Sequence, residues 1–199
     1  MVDAMRLPPL LARGFYQRPT EVVARELLGK LLVRERPEGA VVVRLTEVEA
    51  YLGVDDAACH TFGGRRTART ETMWGEAGHA YVYLVYGLHS CLNVVTVGRG
   101  RPEAVLIRGG VVERGLELAQ ARRGAAVRER ALADGPGKLC QALAVSRADD
   151  GADLCARASG LVIRDDGLRV GELSVRRLPR VGVAYAGAAA AWPLRFVLS

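Results

Sequence analysis

Two pairs of β-rich runs set the limits on what this chain can fold into. Leu31–Arg36 and Ala40–Tyr51 are rich in β-branched residues and flank Pro37-Glu38-Gly39, while His79–Tyr86 and Ser90–Val97 flank Gly87-Leu88. Both pairs read as hairpins. Hairpin strands pair antiparallel, which argues against a doubly wound parallel sheet with regular strand and helix alternation. Ala104–Arg108 adds a short strand, and Leu161–Ile163, Leu168–Val175 and Val181–Ala184 alternate between turn residues such as Asp166-Gly167.

Helical spacing is confined to three places. The first begins at Thr20, read as an N-cap, carries an apolar stripe of Val22, Val23, Leu27 and Leu28, and ends at Gly29. Val111–Ala133 and Pro136–Val145 are the others, the latter opened by Gly135-Pro136-Gly137. Between the hairpins, Gly53–Gly78 has no period and is rich in Gly, Thr and Arg, so it is expected as a long surface loop. The expected architecture is a mixed α/β (α+β) domain around a largely antiparallel sheet flanked by helices. The 199 residues suit one domain spanning 1–199, with 1–12 as a loose N-terminal segment.

The formal net charge of +6 favours an anionic partner. Nearly all the cations are arginine, only Lys30 and Lys138 being lysines, and arginine forks match phosphate oxygens. Cys59, Cys91, Cys140 and Cys155 form no Cys-x-x-Cys pair, which points to a reduced, cytoplasmic setting. No apolar run approaches the roughly 20 residues that span a bilayer, so no membrane association is expected. The histidines His60, His79 and His89 have no metal-ligand spacing, and both His-Glu-x-x-His and a zinc deaminase signature are absent. Neither a metal nor another cofactor is expected.

Period-two geometry in Glu47-Val48-Glu49-Ala50-Tyr51 puts two acids and a phenol on one face and Val48 and Ala50 on the other. Carboxylates at the end of a hydrophobic strand are partly desolvated and raise each other's pKa, which makes one a candidate general base. An exposed face paired with arginine fits the same spacing. Tyr81-Val82-Tyr83-Leu84-Val85-Tyr86-Gly87 holds three of the six tyrosines. Their rings can stack on nucleobases, although tyrosine is also a common strand former. Tyr86, at a hairpin tip beside Gly87, is a candidate wedge. Gly135-Pro136-Gly137-Lys138 lacks the spacing of a phosphate loop but could hold a DNA phosphate at a helix start.

These segments together resemble the alkyladenine (3-methyladenine) DNA glycosylase family from about Arg13 to Arg195. The blocks that carry the resemblance are Ala24-Arg25-Glu26-Leu27-Leu28-Gly29, Glu47-Val48-Glu49-Ala50-Tyr51, the acidic stretch ending in His60, the tyrosine run, Gly135–Leu143 and Pro193-Leu194-Arg195-Phe196. The resemblance implies a curved sheet with a protruding hairpin, similar to the C-terminal domain of formyltransferases. It implies a monofunctional base-excision enzyme that flips alkylated or deaminated purines (3-methyladenine, 7-methylguanine, hypoxanthine, ethenoadenine) from duplex DNA and hydrolyses the glycosidic bond.

Carried over by position, Glu49 activates water, Glu47 supports it, and Arg108 orients the water or a phosphate. Tyr51 stacks on one face of the extruded base with His60 and Tyr83 on the other, Asn93 excludes normal guanine, and Tyr86 fills the gap in the helix. Tyr81, Gly87 and Lys138 are expected along the DNA backbone. The enzyme is expected to act as a monomer, in the cytoplasm at the nucleoid. In Thr67–Trp74 the chain departs from the family pattern, with Thr70 where asparagine is usual and Trp74 where phenylalanine is usual. A non-catalytic binder of distorted DNA explains the charge and the wedge equally well, and only a carboxylate at the base pocket separates the two. A formyl-group transferase on a related scaffold is the other alternative.

Overall fold

In the computed structural model, which describes residues 8–199, the chain forms a curled, antiparallel sheet of eight strands with few helices. Its elements run in the order α1 (Arg13–Tyr16), α2 (Thr20–Leu27), β1 (Leu31–Arg36), β2 (Gly39–Tyr51), β3 (Ala80–Val85), β4 (His89–Gly98), β5 (Arg101–Arg114), α3 (Leu116–Arg123), α4 (Pro136–Ala142), β6 (Leu161–Arg164), β7 (Val175–Leu178) and β8 (Arg195–Leu198). The main path through the sheet is β3-β4-β5-β2-β1-β6, and β8 pairs with both β2 and β7. The two hairpins fall where alternation puts them, with Val33 opposite Val42 and Val82 opposite Leu92. Of the expected loose N-terminal segment, residues 1–7 lie outside the described residues. Leu10 bridges to Arg164 on β6, and Leu11 is buried.

The feature of the sheet that matters most for function is an irregularity in β2. Val41, Val43 and Leu45 point into the main core, yet beyond Leu45 it is Val48 and Ala50, of the opposite parity, that do so. The pairing with β5 is irregular between Leu45 and Val48, where Thr46 is passed over on β2 and Arg108 on β5. Because strand side chains alternate strictly, such a bulge exchanges the two faces. Glu47, Glu49 and Tyr51 share the parity of Leu45 and would otherwise enter the apolar core. The bulge sends them to the opposite side of the sheet.

Several sequence expectations are corrected by long-range pairing. Val111–Ala133 is not one helix: β5 runs on to Arg114, with Val111 opposite Arg44 and Val112 opposite Val43. A neighbouring strand with free backbone groups outweighs weak helical spacing. Gly115, at φ 74°, then ends the strand, and its missing Cβ would stand 2.2 Å from the carbonyl oxygen of Ala40. The short strand expected at Ala104–Arg108 is the middle of this longer one. At α2 the N-cap is Pro19, with no side-chain cap. Thr20 instead donates to Glu103 (2.5 Å) and accepts from Thr96 (2.7 Å), while Val22 is exposed and Ala24 takes its place in the core.

Leu168–Val175 is not a strand; the strand begins at Val175 and pairs with β8. Val181–Ala184 is not one either, because the Val181 N–H is spent on a side chain and Gly182 turns the chain at φ 75°. A 3-10 segment, Ala184–Ala191, follows. The stretch 53–78 is more than a surface loop: it holds three 3-10 turns and buries Asp56, Cys59, Thr61, Thr70 and Met73.

Deleting Thr46 tests the role of the bulge. Loss of one residue would swing the Glu47 and Glu49 carboxylates towards the apolar side, at a cost of several kcal/mol, and lower Tm by roughly 10 °C or more. Thermal unfolding followed by circular dichroism reads the change, and a native Tm would show that the bulge does not set the face.

Candidate active site

A cavity of about 420 Å³ opens on the face to which the bulge directs β2, within the size range of small-molecule sites. Tyr51 from β2, Tyr81 and Tyr83 from β3, and Asn93 from β4 line it, together with Arg108 from β5 and His60 from the 53–78 stretch. Tyr86 at the hairpin tip borders the same space. Strand neighbours explain the convergence: Glu49 and Asn93 both pair with Leu106, so three adjacent strands put side chains over one patch. Gly87 lies beyond the lining, and Lys138, two residues after the lining residue Pro136, is ion-paired with Asp134 at 2.8 Å.

Glu49 is fully buried and sits one layer behind the cavity wall, held by three groups that belong to the wall itself. Its Oε1 accepts from the Val181 N–H at 2.8 Å and lies 3.4 Å from Arg108 Nε; its Oε2 accepts from the Tyr51 hydroxyl at 2.9 Å. Burial raises its pKa above the ordinary carboxylate value, against the opposing pull of Arg108, Val181 and Tyr51. Arg108 makes its closer bond to Glu47, at 2.8 Å, and Glu47 also meets Arg195 at 3.2 Å. Glu47 therefore takes much of the arginine charge, which leaves Glu49 a base strong enough to accept a proton.

The aromatic walls are built with equal care. His60 packs edge-on against Tyr83, ring centres 4.6 Å apart, and its Nδ1 lies 2.9 Å from the Tyr81 hydroxyl. Burial lowers the His60 pKa to about 4, with Arg69 and Arg65 adding to the effect, so the ring is neutral at physiological pH. Tyr51 is backed by Arg180, whose guanidinium lies 4.8 Å from the ring centre. Arg180 is itself buried in an ion pair with Asp56, its Nη2 donating to Asp56 Oδ1 at 2.8 Å. That pair ties the segment carrying Val181 to the stretch carrying His60. The Asn93 amide donates to the Tyr81 carbonyl at 3.1 Å, which fixes its side chain. Tyr86 is 92% exposed and has φ 52°, an uncommon backbone state for a residue with a Cβ. With Gly87 at φ 71° and the Leu88 N–H bonded to the Val85 carbonyl, the tip is a primed turn that holds the ring clear of the protein.

Sequence reasoning did not find Val181, Arg180, Arg69 or Tyr185 at this site. Val181 acts through its backbone, and one arginine among many carries no local signature. Tyr185, an isolated tyrosine three residues after Gly182, was the only visible signal. Among the described residues no three His, Cys, Asp or Glu side chains come together as a metal site.

The family profile of methylpurine-DNA glycosylases matches residues 14–199. This chain belongs to the methylpurine-DNA glycosylase family. A Methanocella arvoryzae relative is 50% identical over 188 residues, covering 94% of this chain and 92% of the relative. A Bdellovibrio bacteriovorus relative is 44% identical over 190 residues, covering 95% of each, and one from Streptomyces avermitilis is 45% identical over 182 residues, 92% and 85%. All three are named provisionally as 3-methyladenine DNA glycosylases. As a family member the chain is a DNA N-glycosylase, a hydrolase of DNA repair, and not merely a binder of bent DNA or a formyl-group transferase. No helix among the described residues is long and apolar enough to cross a membrane.

The half-buried His60 imidazole makes stability depend on pH. His60 has an ordinary pKa near 6.5 when unfolded and about 4 when folded. Between those values the unfolded state binds the extra proton, so this residue makes stability rise with pH from about 4 to about 6.5. An NMR titration should find the ring neutral down to about pH 5. A midpoint near 6.5 would mean that the His60 ring is solvated rather than packed against Tyr83.

Proposed function

We propose that this glycosylase flips a damaged purine nucleotide out of duplex DNA and hydrolyses its glycosidic bond with water activated by Glu49. The observation that carries the reading is a fully buried carboxylate that accepts hydrogen bonds from the Tyr51 hydroxyl and the Val181 N–H and is ion-paired with Arg108, all three groups of an aromatic cavity wall. A protein that only bound DNA would gain nothing from an acid buried at the base pocket, against the field of the phosphates.

In the proposed step a flipped base lies between Tyr51 and the Tyr83 and His60 rings, and the sugar C1′ stands toward the Glu49 side. Water adds its oxygen to C1′ and gives a proton to Glu49, while the electron pair of the C1′–N bond leaves with the purine. The products are the free base and an abasic site. Arg108 orients the water or a neighbouring phosphate. Alkylated purines such as 3-methyladenine or 7-methylguanine carry positive charge and leave as neutral bases; hypoxanthine and ethenoadenine are within the same proposal, leaving as anions that take up a proton from solvent. Asn93, fixed by Tyr81, crowds the exocyclic amine of normal guanine. Water rather than an amine is the nucleophile: Lys30 is buried against Asp165 at 2.7 Å, and Lys138 is tied to Asp134.

Tyr86 is proposed to fill the space left in the helix, with Tyr81, Gly87 and Lys138 along the DNA backbone. Opening a pair costs a few kcal/mol, least for damaged pairs, so stacking in the cavity and the Tyr86 plug help to select lesions. The reading includes action as a monomer, in the cytoplasm at the nucleoid.

Replacement Glu49→Gln should keep lesion-DNA binding and lower single-turnover base release by about 10²-fold or more. Because burial raises the Glu49 pKa and the base must be ionised, the wild-type rate should fall as pH drops through a midpoint above the ordinary carboxylate value. Undiminished release by the variant would remove Glu49 from the mechanism. Tyr86→Ala should reduce the fluorescence of a flipped reporter base at saturating protein, and an unchanged signal would show that the tip does not hold the flipped state.

A further inference from the structure

The charges around the cavity are unbalanced. Among the residues lining it, only Arg69 and Arg108 carry charge, and neither Asp nor Glu is present. Arg108 is offset by Glu47 at 2.8 Å and Glu49 at 3.4 Å. Arg69 has no acidic partner among the described residues. Its guanidinium instead lies over the Tyr83 ring, 5.1 Å from the centre, and it also borders the smaller hollow on the far side of His60. The net charge presented to an entering base is therefore positive, and it comes from Arg69.

Two physical effects follow, both acting on the charge of the base. A purine with a fixed positive charge gains extra attraction from a tyrosine face, but on Tyr83 that electrostatic attraction is already engaged by Arg69. The same base also meets like-charge repulsion from Arg69, which acts at short range across the cavity although solvent screens the exposed guanidinium in part. A neutral purine loses neither term, and an acceptor on its ring edge can take a guanidinium N–H. The depressed pKa of His60, caused first by burial and then by Arg69 and Arg65, is a second sign that this potential reaches the stacking wall.

We infer that Arg69 is a specificity-determining residue that tilts the cavity toward uncharged damaged purines with an acceptor edge and against purines carrying a fixed positive charge. The inference rests on the glycosylase reading above and adds to it the class of lesion that the site favours. It concerns the ratio between lesions, since a cationic purine also leaves C1′ more readily once bound.

The test is single-turnover release of 7-methylguanine, a cationic base, and hypoxanthine, a neutral one, from otherwise identical duplexes. Arg69→Gln should raise the 7-methylguanine to hypoxanthine rate ratio by about fivefold or more, whereas Arg69→Lys, which keeps the charge, should stay within about twofold of wild type. The His60 pKa in Arg69→Gln should rise from about 4 toward its ordinary value. Arg69 is exposed, so neither variant disturbs the core. An unchanged ratio in Arg69→Gln, with both lesions still released, would overturn the inference and leave the glycosylase reading intact. A ratio that shifts equally in Arg69→Lys, or a static His60 pKa, would also overturn it. Release of neither base by the wild-type protein would instead remove the glycosylase reading itself.

Discussion

Taking the Glu49 carboxylate out of water is among the costlier things this fold does, and the arrangement around it answers that cost bond by bond. A buried acid without partners would take up a proton and lose its use as a base. Here the Val181 amide, the Tyr51 hydroxyl and Arg108 each face the carboxylate, while Glu47 and Arg195 draw Arg108 partly away. The balance leaves the pKa raised rather than suppressed. The bulge in β2 is the backbone counterpart, since it turns an acid of core parity toward the cavity.

The Asp56–Arg180 pair extends this order to the rest of the site. One guanidinium backs Tyr51, bonds the Ala50 carbonyl at 3.0 Å, and fixes the segment whose next residue donates to Glu49. A buried ion pair contributes little net stability, but losing either partner is expensive, so the pair ties two distant chain segments into one geometry. The aromatic rings thereby stand in a rigid frame, while Tyr86 projects at the border of the cavity on a primed turn with φ 52°. Rigid walls and a projecting tip suit the proposed task of holding an extruded nucleotide and filling the place it came from.

How much of this was legible in the sequence depends on the range of the interaction. The hairpins around Pro37-Glu38-Gly39 and Gly87 follow from local alternation and turn residues, as does the shared face of Glu47, Glu49 and Tyr51. Asn93 and Arg108 had no local signal strong enough to single them out; the family resemblance did so, and they meet at one cavity with Tyr83, which the tyrosine run had marked. What escaped was decided by contacts distant in sequence. Val111–Arg114 joined β5 because β2 offered it partners, and the 53–78 stretch, aperiodic in sequence, is organised by Asp56 and Thr61 bonding to remote segments. The Val181 amide is a backbone group, which no residue type announces.

If Glu49 activates water for a nucleotide held in the cavity, a complex with DNA must show all three in place. A high-resolution structure of the protein bound to duplex DNA carrying an uncleavable lesion analogue tests it most directly. The expected complex has the base between Tyr51 and the Tyr83 and His60 rings, Tyr86 in the vacated stack, and a water within about 3.2 Å of a Glu49 oxygen, facing C1′. A complex in which the base occupies another hollow, or in which the Tyr51 hydroxyl and Val181 amide still seal Glu49 from any water near the sugar, would contradict it.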